Sequence, residues 1–142
     1  MSQARYFLDT NIVVYSFEQG TKKSDIAQGL MREALTTGIG LISYQVVQEF
    51  FNVAFRKFAQ PMSTGEAEDY FRGVLRPLIS VHSSESLIGS ALRLHSQHQI
   101  GWYDSFIIAA ALEANCEILY SEDLQHDRRF GTLKVVDPFR GS

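Results

Sequence analysis

Two acidic side chains stand where predicted secondary structure would hold them beside a cleft. Asp9 directly follows the apolar run Tyr6–Leu8, so we expect it at the carboxyl end of the first strand, where open α/β sheets bind their ligands. Asp104 begins an almost wholly apolar helix, on the face that also carries Ile108 and Ala111, so its carboxylate should face the interior or a cleft. An ionised carboxylate in such a position needs a partner.

A third acidic residue, Glu49, lies on a predicted helix that is otherwise rich in phenylalanine. Together with Gln45, Asn52 and Arg56 it forms a polar stripe at helical spacing, opposite the apolar face. Such a stripe is most often a solvated surface. Glu49 becomes a candidate ligand only if the fold brings it close to the other acidic side chains.

The segment Ser121–Asp127 supplies further oxygen ligands. It follows a β-prone run and contains Glu122, Asp123 and Asp127, so it resembles the carboxyl end of another strand entering a loop. A helix cap or an ordinary surface loop explains the same residues. His126 alone is too weak a signal to predict a zinc ligand.

If these carboxylates meet in one crevice, they should repel one another strongly unless a cation lies between them. Hard oxygen ligands favour Mg²⁺ or Mn²⁺ over zinc, and such ions serve phosphoryl chemistry by activating water and neutralising charge. A structural alternative stays open, because Asp9 or Asn11 could simply cap the following helix. The N–H groups at the start of its own helix could likewise be the partner of Asp104.

The elements that must position these side chains alternate between strands and helices. Predicted strands are Arg5–Asp9, Gly40–Ser43, Ile79–His82, Glu117–Ser121 and Leu133–Val136. Predicted helices are Asn11–Glu18, Ser24–Leu35, Tyr44–Phe58, a segment reaching Leu78 after a Ser63/Glu66 capping box, Leu87–Leu94 and Ser105–Leu112. This order predicts an α/β fold with a central, mainly parallel sheet and helices on both faces.

Length and charge limit the function further. The 142 residues predict a single domain over 1–142, and the absence of a long apolar segment favours a cytoplasmic protein. Cys116, the one cysteine, reads as a small buried thiol. The net charge is −3, so contact with nucleic acid would have to rest on a local basic patch.

In the order and spacing of its motifs the sequence resembles a PIN domain, and more closely the VapC group of toxin ribonucleases. The matching segments are Phe7–Asn11, Ser43 followed by Glu49, Trp102–Ser105 at the start of an alanine-rich helix, and Ser121–Asp123. Together these segments extend over almost the whole chain. The resemblance implies the PIN-like α/β fold.

The resemblance also implies a set of site residues. Acidic ligands of one or two Mg²⁺ or Mn²⁺ ions would be Asp9, Glu49, Asp104 and Asp123. Supporting residues would be Thr10, Asn11, Ser121, Glu122 and Asp127. Many relatives carry Asn-Asp where this chain has Glu122-Asp123, so which acid completes the set stays open. The implied reaction is hydrolysis of an RNA phosphodiester by metal-activated water, with Glu49 orienting that water or accepting its proton.

The partners implied by the resemblance are an RNA substrate, a small antitoxin protein that binds across the cleft, and a second copy in a homodimer. Basic residues that could contact the RNA backbone are Arg56, Lys57, Arg128 and Arg129. The alternative function is a PIN-fold scaffold that binds RNA or protein without catalysis. Mn²⁺-dependent cleavage of RNA would distinguish the two.

Overall fold

The computed structural model describes residues 4–141, so the ends of the predicted domain, residues 1–3 and 142, lie outside the described residues. The strands are β1 (Tyr6–Leu8), β2 (Gly40–Ser43), β3 (Ile79–Val81), β4 (Ile118–Tyr120), β5 (Arg129–Phe130) and β6 (Leu133–Val136). The α-helices are α1 (Thr10–Phe17), α2 (Lys22–Thr37), α3 (Tyr44–Arg56), α4 (Thr64–Tyr70), α5 (Glu85–His98) and α6 (Trp102–Glu113).

The strands form a six-stranded sheet in the order β3-β2-β1-β4-β6-β5. All neighbouring pairs are parallel except β5 with β6, which is antiparallel. The five predicted strands and the parallel sheet are confirmed. The sequence analysis missed β5, because a two-residue edge strand is too short to show the alternating pattern of a strand.

The central strand β1 is covered on both sides. Its side chains alternate between the two faces, yet Tyr6, Phe7 and Leu8 are all buried. Helix α1 packs against α2 and α3, while α5 packs against α6. The predicted helices on both faces of the sheet are therefore confirmed, and the rigid sheet gives the residues at its strand ends fixed positions.

Close packing of α2 on the sheet depends on Gly40 at the start of β2. A Cβ atom at this position would come within 2.4 Å of the Ala34 Cβ and within 2.6 Å of the Tyr6 ring. Tyr6 in turn donates a hydrogen bond from its hydroxyl to the Leu30 carbonyl, at 2.9 Å. A larger residue at Gly40 would push the helix away from β1 and β2.

The helix predicted from the Ser63 capping box to Leu78 is only partly regular. The capping box forms, but α4 ends at Tyr70 and a π-helical turn, Phe71–Leu75, and a 3₁₀ turn, Arg76–Leu78, follow. Pro77 has no N–H to continue an α-helix, and the Arg76 N–H bonds to the Phe71 carbonyl, five residues back. Throughout residues 4–141, no helix is both long and apolar enough to cross a bilayer.

Candidate active site

The candidate site lies at the carboxyl ends of the central strands, as the sequence predicts. Asp9 follows β1 and Ser121 follows β4, and these strands are parallel neighbours with Leu8 opposite Tyr120. The Asp9 N–H donates to the Tyr120 carbonyl at 3.0 Å, which fixes the two strand ends side by side. Helix α3 starts directly after β2, the other neighbour of β1, and brings Glu49 to the same edge.

Asp9 is a buried carboxylate with both oxygens hydrogen-bonded. It is the N-cap of α1, and its Oδ1 accepts from the Thr10 N–H at 2.7 Å. Its Oδ2 accepts from the Ser121 hydroxyl at 2.7 Å. Burial raises the pKa of Asp9 to about 6, since these hydrogen bonds oppose burial only in part and the charges of Glu49 and Asp123 add to it. The capping role is therefore real, but it leaves an unusually basic carboxylate.

Ser121 connects the two strand ends to the following loop. Besides donating to Asp9, its buried oxygen accepts from the N–H groups of Asp123 and Leu124, at 3.2 and 3.3 Å. Asn11 holds the same loop from the other side. Its amide donates to Asp123 Oδ2 at 3.1 Å, and its Oδ1 accepts from the Glu122 N–H at 3.3 Å. Asp123 is thus oriented by two residues of the predicted site.

Glu49 is half-buried and held from two sides. The Thr10 hydroxyl donates to its Oε1 at 2.6 Å, and the Gln45 amide donates to its Oε2 at 3.3 Å. The same Gln45 nitrogen also donates to the Tyr103 carbonyl, at 3.1 Å, which ties α3 to the start of α6. Gln45 and Glu49, which belong to the polar stripe of α3, are therefore part of the candidate site and not only of a solvated surface.

Asp104 lies in the first turn of α6 but does not cap it. The N-cap is Gly101, and Asp104 accepts no hydrogen bond from any residue within 4–141. Burial raises its pKa, and the charges of Asp123 and Glu49 raise it further. Because no helix N–H group within residues 4–141 donates to this carboxylate, the capping interpretation of Asp104 loses its support.

One cleft of about 770 Å³ is lined by the four predicted acidic ligands, Asp9, Glu49, Asp104 and Asp123. Among the described residues, the lining includes Asp9, Glu18, Glu49, Asp104, Glu122 and Asp123 as acidic side chains and Lys57 as the basic one. Within residues 4–141, no three Asp, Glu, His or Cys side chains already stand in the arrangement of a complete metal site. The donor set nevertheless suits a hard divalent cation, since it consists of carboxylate oxygens, and the charges of Glu49 and Asp123 help to raise the pKa of Asp9 and of Asp104.

The family of the chain follows from comparison with known proteins. The family model for the PIN domain matches residues 6–130, which include the strand ends that carry Asp9 and Ser121. The chain belongs to the PIN domain family. The resemblance read from the motifs is thereby confirmed. No curated protein matches the sequence directly.

Solved structures with the same fold come from toxin–antitoxin systems. A toxin–antitoxin complex from Klebsiella pneumoniae aligns with a TM-score of 0.69 at 18% identity, covering 94% of this chain and 98% of that one. VapC20 from Mycobacterium tuberculosis, a toxin that cleaves the sarcin–ricin loop, aligns at 0.62 with 16% identity, covering 83% and 89%. VapBC2 from Rickettsia felis, bound to a promoter DNA fragment, aligns at 0.62 with 20% identity, covering 92% and 96%.

In this PIN domain the three acids of the last loop have different surroundings. Glu122 forms an ion pair with Lys23 and accepts from the Tyr15 hydroxyl at 2.8 Å. Although burial acts to raise the pKa of Glu122, these bonds hold it below its ordinary value. Asp127 bonds to Lys134 at 3.2 Å and does not line the cleft. Asp123 is thus the acid of this loop that faces the cleft and has no cationic partner within residues 4–141.

The predicted basic residues are also separated by the fold. Lys57 lines the cleft of the PIN domain, whereas Arg56 is exposed beside it. Arg128 donates to the His98 carbonyl at 3.1 Å, and its guanidinium lies 4.9 Å from the centre of a phenylalanine ring in β5. Arg129 lies in β5 and lines a different concavity. Lys57 is therefore the predicted phosphate contact that the structure brings to the cleft.

Sequence reasoning missed several residues that build this site. Tyr15 and Lys23 hold Glu122 across 107 and 99 residues of sequence, and no local pattern indicates such a contact. Gln45 and Asn52 carried a usable signal, because they share the helical stripe of Glu49 and both line the cleft. Tyr103 lies within the matching segment Trp102–Ser105, but the sequence analysis did not predict that it lines the cleft.

The different surroundings of the two neighbouring acids predict different effects of substitution. If the cleft binds a catalytic cation, Asp123→Asn should lower RNA cleavage about tenfold or more, because it replaces a candidate ligand by an amide. Glu122→Gln should leave cleavage within a few-fold of wild type and lower the melting temperature, because it weakens the contacts with Lys23 and Tyr15. Initial cleavage rates and thermal melts of both variants test this, and equal loss of cleavage in both would contradict the assignment.

Proposed function

We propose that the chain is a divalent-metal-dependent ribonuclease, acting in the cytoplasm, that hydrolyses RNA phosphodiester bonds. The observation that carries the proposal is the meeting of Asp9, Glu49, Asp104 and Asp123 in one cleft, where the charges of Glu49 and Asp123 disfavour ionisation of Asp9 and Asp104. Asp9 and Asp104 would be the principal ligands of Mg²⁺ or Mn²⁺. When bound, such a cation supplies an activated water and offsets the charge that develops on the phosphate.

The other residues of the cleft would orient the acidic ligands and the attacking water, accept a proton and contact the RNA backbone. Ser121 and the Thr10 N–H orient the Asp9 carboxylate, and Asn11 orients Asp123. Glu49, fixed by the Thr10 hydroxyl and the Gln45 amide, would orient the attacking water or accept its proton. Lys57 at the cleft wall would contact a phosphate of the RNA backbone.

The partners are part of the same proposal. Structures with this fold include VapC20, a toxin that cleaves the sarcin–ricin loop, and toxin–antitoxin complexes from two other organisms. By this likeness we infer that the substrate is RNA and that an antitoxin protein inhibits the enzyme. From the family resemblance of the sequence we infer that the chain forms a homodimer. The net charge of −3 restricts the RNA contacts to local basic groups such as Lys57.

The alternative function is a PIN module that uses the same acidic cleft to bind RNA or protein without catalysis. In the proposed enzyme, Asp9 and Asp104 would suffice to hold the cation, because Mg²⁺ is usually bound by one or two carboxylates and keeps several waters. A scaffold would bind its partner without this cation.

Purified protein incubated with mixed RNA distinguishes the two functions. We expect cleavage in Mn²⁺ or Mg²⁺, none in EDTA, and recovery when Mn²⁺ is added in excess of EDTA. A preparation carrying Glu49→Gln is the control for a contaminating nuclease, because a contaminant would remain fully active. RNA binding without turnover in either metal would favour the scaffold and overturn the ribonuclease.

A further inference from the structure

A second concavity adjoins the acidic cleft. It encloses about 210 Å³ between the ends of β2 and β3 and the starts of α5 and α6. Residues that matter for its chemistry are Ser43, Gln45, Gln48, His82, Tyr103 and Phe106. Gln45, Gln48 and Tyr103 also line the acidic cleft, so the two cavities share one wall.

Ser43 carries a buried hydroxyl without a partner at this second concavity. It is 2% exposed, and its Oγ accepts or donates no hydrogen bond within the described part of the chain. Although Ser43 is the N-cap of α3, its side chain makes no capping bond. A buried polar group without a partner destabilises the free protein, and a ligand with a donor or acceptor at this point would relieve that cost.

The remaining walls are mainly apolar and include both aliphatic and aromatic side chains, namely Val81, Leu87, Ile88, Phe106 and Tyr103. Tyr103 is 68% exposed at the boundary with the acidic cleft, although large aromatic side chains are ordinarily buried. His82 lies edge to face with Tyr44, with ring centres 4.5 Å apart. The lining contains no Asp, Glu, Lys or Arg side chain among the described residues. These walls suit a flat, neutral ligand with polar edges.

We propose that this concavity, the nucleobase pocket, binds an unpaired base of the RNA strand whose phosphate lies in the acidic cleft. The inference rests on the proposed function and adds a preference for single-stranded RNA with a base at this position. Tyr103 stacks on the base, while Ser43 and the amide of Gln48 bond to its edge, as proteins commonly read splayed bases. The shared wall explains how one nucleotide reaches both cavities.

Binding of fluorescein-labelled hexaribonucleotides, measured by anisotropy in Ca²⁺ buffer, tests the pocket without requiring cleavage. The probes are all-A, all-U and all-C strands and a strand of six abasic ribose phosphates. We expect the wild type to bind the base-containing strands more tightly than the abasic strand. Tyr103→Ala should weaken that binding about tenfold, whereas Tyr103→Phe should retain it, because stacking needs the ring and not the hydroxyl.

Two further variants complete the design. Ser43→Ala should change the preference among the three bases while leaving the melting temperature at or above that of wild type, since the hydroxyl has no partner to lose. Phe55→Ala, which removes an exposed aromatic ring that lines neither cavity, should leave all affinities unchanged.

Equal affinity of the wild type for base-containing and abasic strands, or no binding of any strand, would overturn the pocket. So would a change of oligomeric state in Tyr103→Ala with unchanged RNA affinity, because the ring would then belong to a protein interface. Failure of the proposed ribonuclease can be distinguished from failure of the pocket. Base-dependent binding without turnover would support the pocket and contradict the ribonuclease. Turnover with an unaltered base preference in Tyr103→Ala and Ser43→Ala would contradict the pocket and support the ribonuclease.

Discussion

Asp104→Asn should lower metal-dependent RNA cleavage by about 100-fold or more without destabilising the metal-free protein. The first effect is expected because the variant replaces the carboxylate of a proposed metal ligand by a neutral amide. The second follows from the raised pKa of Asp104: burial and the charges of Asp123 and Glu49 disfavour its ionised form, and no hydrogen bond within residues 4–141 is lost. In EDTA the variant should therefore melt at or above the wild-type temperature.

Thermal melts in EDTA and in Mn²⁺ separate this account from a purely structural role. Because a ligand that binds the folded state stabilises it, Mn²⁺ should raise the melting temperature of the wild type more than that of the variant. Asp69→Asn, at an exposed position outside the cleft, is the matched control and should respond to Mn²⁺ as the wild type does. A variant that is less stable in EDTA but gains equally from Mn²⁺ would refute the metal-ligand role of Asp104.

The buried carboxyl of Asp9 should make the stability of the metal-free protein fall as the pH rises from about 4 to 6. Its pKa is raised from 3.8 to about 6 in the folded protein, so within this interval the folded state binds a proton that the unfolded state has released. The contribution is fully present below the unfolded pKa and is lost as the pH rises through the folded one. A shift of this size corresponds to about 3 kcal/mol.

Comparison with Asp9→Asn isolates the contribution of Asp9 to the pH dependence of stability, since the other carboxyl groups titrate in both proteins. Urea unfolding in EDTA at pH 4 and pH 7 should show that the stability of the variant relative to wild type increases by up to about 3 kcal/mol between the two. The hydrogen bonds lost in the variant lower its stability alike at both pH values and leave this gain unchanged, because an amide cannot accept from both the Thr10 N–H and the Ser121 hydroxyl at any pH. If the two proteins differed in unfolding free energy by the same amount at pH 4 and pH 7, the pKa of Asp9 would not be raised in the folded protein.

Local patterns were sufficient to predict the general position of the acids. The apolar run before Asp9 predicted a strand end, and the apolar circumference of α6 predicted that Asp104 would face a cleft. Both features depend on hydrophobic periodicity within a few residues, which the sequence displays directly. The same reasoning failed for the segment before Pro77, where the altered hydrogen bonding of the π-helical turn has no hydrophobic signature.

The sequence by itself determined the order of strands and helices, the location of the acids on predicted strand ends and helices, and the resemblance to PIN domains. Only the tertiary structure decided which acid has which surroundings. Ser121 meets Asp9 across 112 residues and Lys23 meets Glu122 across 99. Such contacts depend on strand order and helix packing, which bring together residues that share no local pattern. For the same physical reason, the orphaned hydroxyl of Ser43 became visible only when its surroundings were known.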